Sequence, residues 1–484
     1  MGGSRVVNPE FHPLIIPTIV IPFTALLAAL SALATLIAAL FGIQLKAEGP
    51  KKLLEVLLKP KILLSALLLN LLLIGGVTGY RYIKNFPVPL FLIEKRHTAL
   101  SDHSTRTYSN TPTQRLFDRP TLSPQPGKLT LQWTTDLQSG SFRGLVVSKQ
   151  SGFIGTNQGL VQEVDLQNGS LLRSFYVGTA ISAAPVIFDQ FLYVGEGQHD
   201  THHARIYQFS LKTGILEKTF QSKGHIEASS EFSADGTLMI FPSGSGGITA
   251  LEVPSLRPLW HARHGHVDGA ALIDKDLVFS GSGVEKERLV ASKVKAFAYD
   301  LQTGRPRWQR QLPASSWMKP IPWHDQVCFI FGEVYFSSDL GGLACFQKKN
   351  GEPGTTYLHD TPIVSEVTRL GDDVIFADLN GQICRISLQD GRRHWCRQTG
   401  PASRALGHAV YDEAHGTLGY ASQSEGFFVL DPATGSILAH WNETSEKKPW
   451  GKVYAPPTPT GDGWIVVNMK GVMRKLRWSR ESAL

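Results

Sequence analysis

Short runs in which apolar and polar residues alternate recur from residue 129 to residue 478, each closed by an Asp-Gly, Asn-Gly or Thr-Gly turn. A period of two predicts strands, and turns of this type between them predict hairpins. The clearest copies are GLVQEVDLQNGSLLRSF from Gly159, ARIYQFSLKTGILEKTF from Ala204, VKAFAYDLQTGRPRW from Val294, GQICRISLQDGRRHW from Gly381 and GFFVLDPATGSILAHW from Gly426. Equivalent positions fall near Gly159, Ala204, Gly247, Val294, Gly342, Gly381, Gly426 and Gly471, with separations of 39 to 48 residues. A repeat of that length built only of strands predicts a β-propeller. Dividing residues 129–478 by eight gives about 44 per blade, in the observed range, whereas seven would need 50. The last copy stops at Lys475–Trp478 without an outer strand, while Leu129–Leu137 has the outer-strand pattern and no blade before it. Pairing the two closes the ring and removes its open edges. The recurrent Trp133, Trp260, Trp308, Trp395 and Trp441 share one phase of the repeat, which predicts packing between blades rather than a ligand cage.

Two stretches break the alternation. Residues 14–44 carry no charge, and residues 62–80 are again uncharged and Leu-rich. Each reaches the ~20 residues needed to cross a bilayer core. The first is too long for a signal-peptide core and is followed closely by the second, so both are expected to be transmembrane helices. The segment between them carries Lys46, Lys51, Lys52, Lys59 and Lys61 against Glu48 and Glu55. Short basic loops stay cytoplasmic, which puts the N-terminus and everything after Tyr80 on the far, periplasmic side. The expected organisation is a membrane anchor over 1–84, a Pro-rich linker over 85–128, the propeller over 129–478 and a tail over 479–484. The fold class is therefore all-β, an eight-bladed propeller of four-stranded blades closed by an N-terminal strand and preceded by two transmembrane α-helices. The net charge of +7 sits largely in the membrane flanks and in scattered Lys and Arg, with no basic helix, so nucleic acid is not an expected partner.

The motif in Ala298–Trp308 (AYDLQTGRPRW) and Val429–Trp441 (VLDPATGSILAHW) resembles the propeller repeat of the pyrroloquinoline-quinone-like superfamily. That resemblance covers residues 129–478 and implies the eight-bladed fold. Within the superfamily the non-enzymatic members resemble the outer-membrane assembly factor BamB, which implies a scaffold. This chain departs from them in having two expected membrane spans in place of a lipobox Cys, so attachment differs and the partner does not carry over. The quinone dehydrogenases would require adjacent cysteines. The four present are Cys328, Cys345, Cys384 and Cys396, none adjacent. No Glu-Asn-Asp calcium set maps onto the chain either, and no quinone is expected.

Cys384 and Cys396 flank a turn centred on Asp390 at equal distance, so they should face each other across two strands. A disulfide there suits an oxidising compartment; two buried thiols are the alternative. An insertion leaves the register of Cys328 and Cys345 open.

The unusual chemistry lies in loops. GEGQHDTHHARIY places His199, His202 and His203 between the second and third strands of blade two. GHIEAS then supplies His225 and Glu227, and HGHVDGA supplies His266 and Asp268 at the equivalent point one blade later. Both loop classes open on one face of a propeller, near its channel. Imidazole and carboxylate together suit a divalent metal, zinc or copper; the alternative is that the acids cap backbone amides. No G-x-S-x-G elbow, Walker loop or H-E-x-x-H motif occurs. The leading expectation is a membrane-anchored, non-catalytic scaffold holding protein partners by a propeller face or a blade edge, in envelope or outer-membrane protein assembly. The alternative is a metal- or cofactor-binding propeller, a quinoprotein-like enzyme or sensor, working through the histidine face. No cofactor is expected beyond a candidate divalent metal.

Overall fold

The computed structural model of the chain describes residues 116–117, 124 and 126–480, apart from 200, 285–293, 336–338, 401–406 and 444–449. The expected spans at about 14–44 and 62–80, and most of the expected linker, lie outside these residues. Among the described residues every regular element is a strand, and the strands form eight sheets.

Each blade is an antiparallel meander. In blade one a short inner strand (Val146–Ser148) pairs with Ser151–Gly155, then Leu160–Asp165, then the outer strand Leu171–Tyr176. The two middle strands are buried along nearly their whole length, while the outer strand is half-buried throughout. The middle strands are therefore mostly apolar on both faces, with Gln162 and the Arg173-paired Glu163 as buried exceptions in blade one, because neighbouring blades cover each strand from either side. The apolar clusters accordingly sit between blades. One unites Ile240, Ile248 and Ala250 of blade three with Val278, Phe297 and Tyr299 of blade four. Another joins Ile465, Val467 and Met473 of the last blade to Ile154 and Val164 of the first.

The repeat motif is explained by its turn. In blade four the Asp300 carboxylate accepts from the Thr303 amide at 2.9 Å, and the Gly304 amide reaches back to the Asp300 carbonyl at 2.9 Å. Blade seven repeats this, with Ala433 on the Asp431 carboxylate at 2.8 Å and Gly435 on the Asp431 carbonyl at 2.8 Å. Such Asp side-chain turns fix the hairpin locally. The Gly then serves the next contact, because the preceding blade's Trp lies directly on it. A Cβ at Gly169, Gly304, Gly351 or Gly435 would come within 2.6–2.7 Å of Trp133, Trp260, Trp308 or Trp395 respectively. Each of these indoles also donates to the carbonyl three residues before that Gly: Leu166, Leu301, Lys348 and Pro432. The tryptophans are inter-blade wedges, as their shared phase predicts. Trp441 departs from the rule and packs edge-on against Trp450 at 6.0 Å.

Closure occurs as the sequence predicts, with slightly different bounds. Gly127–Asp136 pairs antiparallel with Val472–Arg480 and becomes the outer strand of blade eight. One feature falls inside the expected linker. Leu116–Phe117 runs parallel to Thr368–Leu370, the inner strand of blade six, and the Phe117 ring meets Tyr411 of blade seven at 4.7 Å.

All four cysteines are bonded, Cys328 to Cys345 and Cys384 to Cys396. In both pairs the partners stand directly opposite across adjacent strands, which settles the register that the insertion in blade five left open.

Candidate functional site

Described residues from all eight connections between an outer strand and the next inner strand meet at one end of the channel. A cavity of about 530 Å³ opens there. Phe142, Ser182, Glu227, Asp268, Trp317, Val364 and Tyr454 all line it, and each stands four residues before the inner strand of its blade. One repeat phase thus faces the cavity in seven blades, and its side chain changes from blade to blade. At blades three and four it is acidic, and two residues earlier stands a histidine.

The backbone holds these histidines firmly. His266 lies in a connection tied on both sides: Val267 exchanges hydrogen bonds with Gly244 at 3.0 and 3.1 Å, and the Gly283 amide donates to the His266 carbonyl at 2.8 Å. His225 lies flat against Gly244. A Cβ at Gly244 would stand 2.4 Å from the His225 ring, so only glycine leaves space for the imidazole. His199 reaches the same point from the second-to-third loop of blade two. There the Thr201 amide donates to the Gln198 carbonyl at 2.7 Å, making a tight turn around His199.

The side chains meet around one carboxylate. Asp268 Oδ1 lies 2.9 Å from His225 Nε2, and Asp268 Oδ2 lies 2.8 Å from His266 Nε2. One donor atom from each of His199, His225, His266 and Asp268 lies within 4.8 Å of every other. The last three are buried, and the His199 side chain is 46% exposed. Glu227 adjoins the group, with Oε1 3.5 Å from His199 Nδ1 and 3.9 Å from His225 Nε2. Of the seven residues the sequence singled out, four therefore form the cluster, and Glu227 stands beside it. His202 and His203 follow the turn and are exposed, outside the cluster.

Charge explains the balance. Burial drives the Asp268 carboxyl upward, but the bonds from His225 and His266 outweigh it and hold the group below the ordinary carboxylate range. Glu227 moves the other way, raised by burial and then by the neighbouring Asp268 charge. Asp268 thus spends both oxygens on imidazoles, which is not the amide-capping role that was its alternative.

Sequence reasoning missed the far wall. Tyr335, in the second-to-third loop of blade five, has its hydroxyl 2.8 Å from His199 Nε2. Its position is fixed by Glu333, whose Oε1 accepts from the Val334 and Tyr335 amides at 2.8 and 3.0 Å, while Oε2 accepts from Ser315 at 2.6 Å. Trp317 meets Tyr335 edge-on at 5.5 Å and His266 at 6.2 Å. Arg143 crosses the floor, donating to the Ser182 and Glu227 carbonyls at 3.1 Å each and lying 3.5 Å from Glu366. The legible signal was the phase itself, since Trp317 occupies the position that Glu227 and Asp268 hold in their blades.

Fold and mouth together define an eight-bladed β-propeller with a histidine–carboxylate cluster at one end of its channel. The chain belongs to the family described as outer membrane protein assembly factor BamB, whose sequence profile matches residues 126–353 and 331–452. Among curated proteins nothing matches. Among solved structures, BamB from Moraxella catarrhalis superposes with a TM-score of 0.56 at 16% identity, covering 72% of this chain and 100% of that one. The computationally designed Ika8 protein superposes with a TM-score of 0.57 at 13% identity, covering 72% of this chain and 99% of that one. At these identities the likeness to the two structures is one of fold.

Proposed function

We propose that this protein is a non-catalytic scaffold, anchored in the inner membrane by its N-terminal segment, whose propeller holds protein partners on the periplasmic side during envelope or outer-membrane protein assembly. Membership of the BamB family over most of the propeller carries this reading. Three further observations support it. The uncharged stretches at 14–44 and 62–80 and the basic segment between them favour an anchor with the propeller outside the cytoplasm. Pairing of all four cysteines suits an oxidising compartment. A concave mouth with aromatic walls and one buried polar cluster is a surface suited to recognition.

The test is photo-crosslinking of the full-length protein in its native membrane, with the probe at Val334 on the rim and at Leu358 on an outer strand, both exposed. Recovery of a defined protein partner is expected. If neither position captures a protein, the scaffold reading fails. A C-terminal reporter that is active only in the cytoplasm would overturn the periplasmic placement.

A further inference from the structure

We propose that His199, His225, His266 and Asp268 bind one divalent ion of the zinc class, which fastens the loops of blades two to four together at the channel mouth. The donor set is the first argument. Three imidazoles and one carboxylate are a ligand combination that borderline ions such as Zn²⁺ prefer. The geometry is the second. At metal–ligand distances of about 2.0–2.1 Å, the donors of a tetrahedral site stand roughly 3.3 Å apart. His225 and His266 already aim Nε2 at Asp268 from 2.9 and 2.8 Å, and all four donors lie within 4.8 Å of one another. The adjustment needed falls to His199, the exposed member on a loop tip, while His266 is tied by backbone bonds, His225 packs against Gly244 and Asp268 is held by both imidazoles.

The surroundings provide the third argument. Metal-bound histidines characteristically use their other ring nitrogen in a hydrogen bond that fixes the ring. The Tyr335 hydroxyl holds His199 Nε2 at 2.8 Å, leaving Nδ1 toward the cluster. A hydrogen-bonded His–Asp–His bridge would need neither this third imidazole nor the second carboxylate of Glu227 beside it. With Glu227 counted, two carboxylates face the double charge of the ion. Four protein donors fill a tetrahedral shell, which is the pattern of a structural rather than a hydrolytic site. The ion joins the second-to-third loop of blade two to the connections entering blades three and four. This goes beyond the scaffold reading, which stands or falls by crosslinking alone.

The experiment uses full-length protein in detergent, stripped with chelator and titrated with Zn²⁺ by calorimetry and with Co²⁺ by visible absorption. One ion per chain is expected, with the intense bands of four-coordinate cobalt and a higher melting temperature in Zn²⁺. Loss of an outer-shell partner alone typically weakens metal binding roughly 10–100-fold. His199→Ala, His266→Gln and Asp268→Asn should each weaken it by at least about 100-fold, as losses of direct ligands. The double change His202→Ala, His203→Ala should leave affinity unchanged. His199 is exposed, so its variant keeps the test valid if the buried variants fail to fold. Absence of stoichiometric binding would overturn the proposal, as would unchanged affinity in His199→Ala or loss of binding in the His202, His203 variant.

Discussion

Two buried carboxylates near the channel mouth show how neighbours decide the sign of a charge. Asp268 faces two imidazoles and is held below the ordinary range. Glu196, 1% exposed at the end of a middle strand of blade two, is pushed up to about 7 by burial, with the Tyr207 hydroxyl and then Arg205, 3.7 Å away, offsetting only part of this. Its folded pKa lies above its unfolded value, so stability is fully present below the unfolded pKa of 4.5 and is lost as pH rises through about 7. At about 1.4 kcal/mol per tenfold change in proton affinity, ionising the buried group costs the fold about 3 kcal/mol above that range. Glu196→Gln removes the titration. Urea melts at pH 5 and pH 8 should show the variant gaining on the parent by about 2–3 kcal/mol across that interval; a difference that stays constant with pH would refute the assignment. The same residue scale marks where sequence stopped informing. His225, His266 and Asp268 were legible because a His-x-acid phase repeats in adjacent blades. His202 and His203 were grouped with them by proximity in sequence, but the turn at Gln198–Thr201 directs His199 inward and leaves them outside. Tyr335 and Trp317 escaped notice because an aromatic in a propeller is by default a packing residue.

At the scale of the element, the hairpin turn and the indole that lies on it form one device, which is why the repeat was so readable. The Asp carboxylate fixes the turn, the Gly allows close approach, and the Trp of the preceding blade closes over both. Its strength should follow burial. Trp308 is 6% exposed, sits in the largest apolar cluster and donates to Lys348 at 2.8 Å. Trp133 is only part-buried, and its bond to Leu166 is 3.4 Å long. Trp308→Ala should therefore cost about 3–5 kcal/mol in denaturant unfolding, the range for truncating a buried aromatic, and Trp133→Ala distinctly less. Gly351→Ala, at a φ of +71° with the Trp308 ring 2.7 Å from the new Cβ, should be destabilising with no polar group touched. Equal costs for the two tryptophans would mean that the wedge is not what holds neighbouring blades. Strand limits were less legible than these turns, because turn chemistry is local whereas a strand's ends depend on the partner it finds. The closing strand was expected at Leu129–Leu137 and occupies Gly127–Asp136, since the length of Val472–Arg480 opposite it sets the pairing.

For the whole molecule, the decisive bond is between the two ends of the repeat region. Seven blades draw all four strands of their antiparallel meander from consecutive chain, but blade eight takes its outer strand from residues more than 300 positions earlier. That junction also carries Trp133 onto the turn of blade one, so one strand supplies both the last blade's edge and the first wedge. Without it, Val472–Arg480 would expose an unpaired edge containing the buried Met473, Leu476 and Trp478, and the apolar layer shared by blades eight and one would lose Leu137 and the Trp133 ring. An open edge of that kind pairs with other chains. A soluble chain starting at residue 138 should therefore form multimers or precipitate, while one starting at residue 115 should remain a monomer. Adding a peptide of residues 126–137 in trans should restore the monomer, because the register is specified by the buried Leu129 and Thr135, with a bulge between Leu131 and Trp133, and not by the covalent link. Size-exclusion chromatography with light scattering reads all three states. A well-behaved monomer from residue 138 would show that the ring is held by inter-blade packing alone, and rescue by a peptide with its apolar positions shifted by one residue would show that register plays no part in closing it.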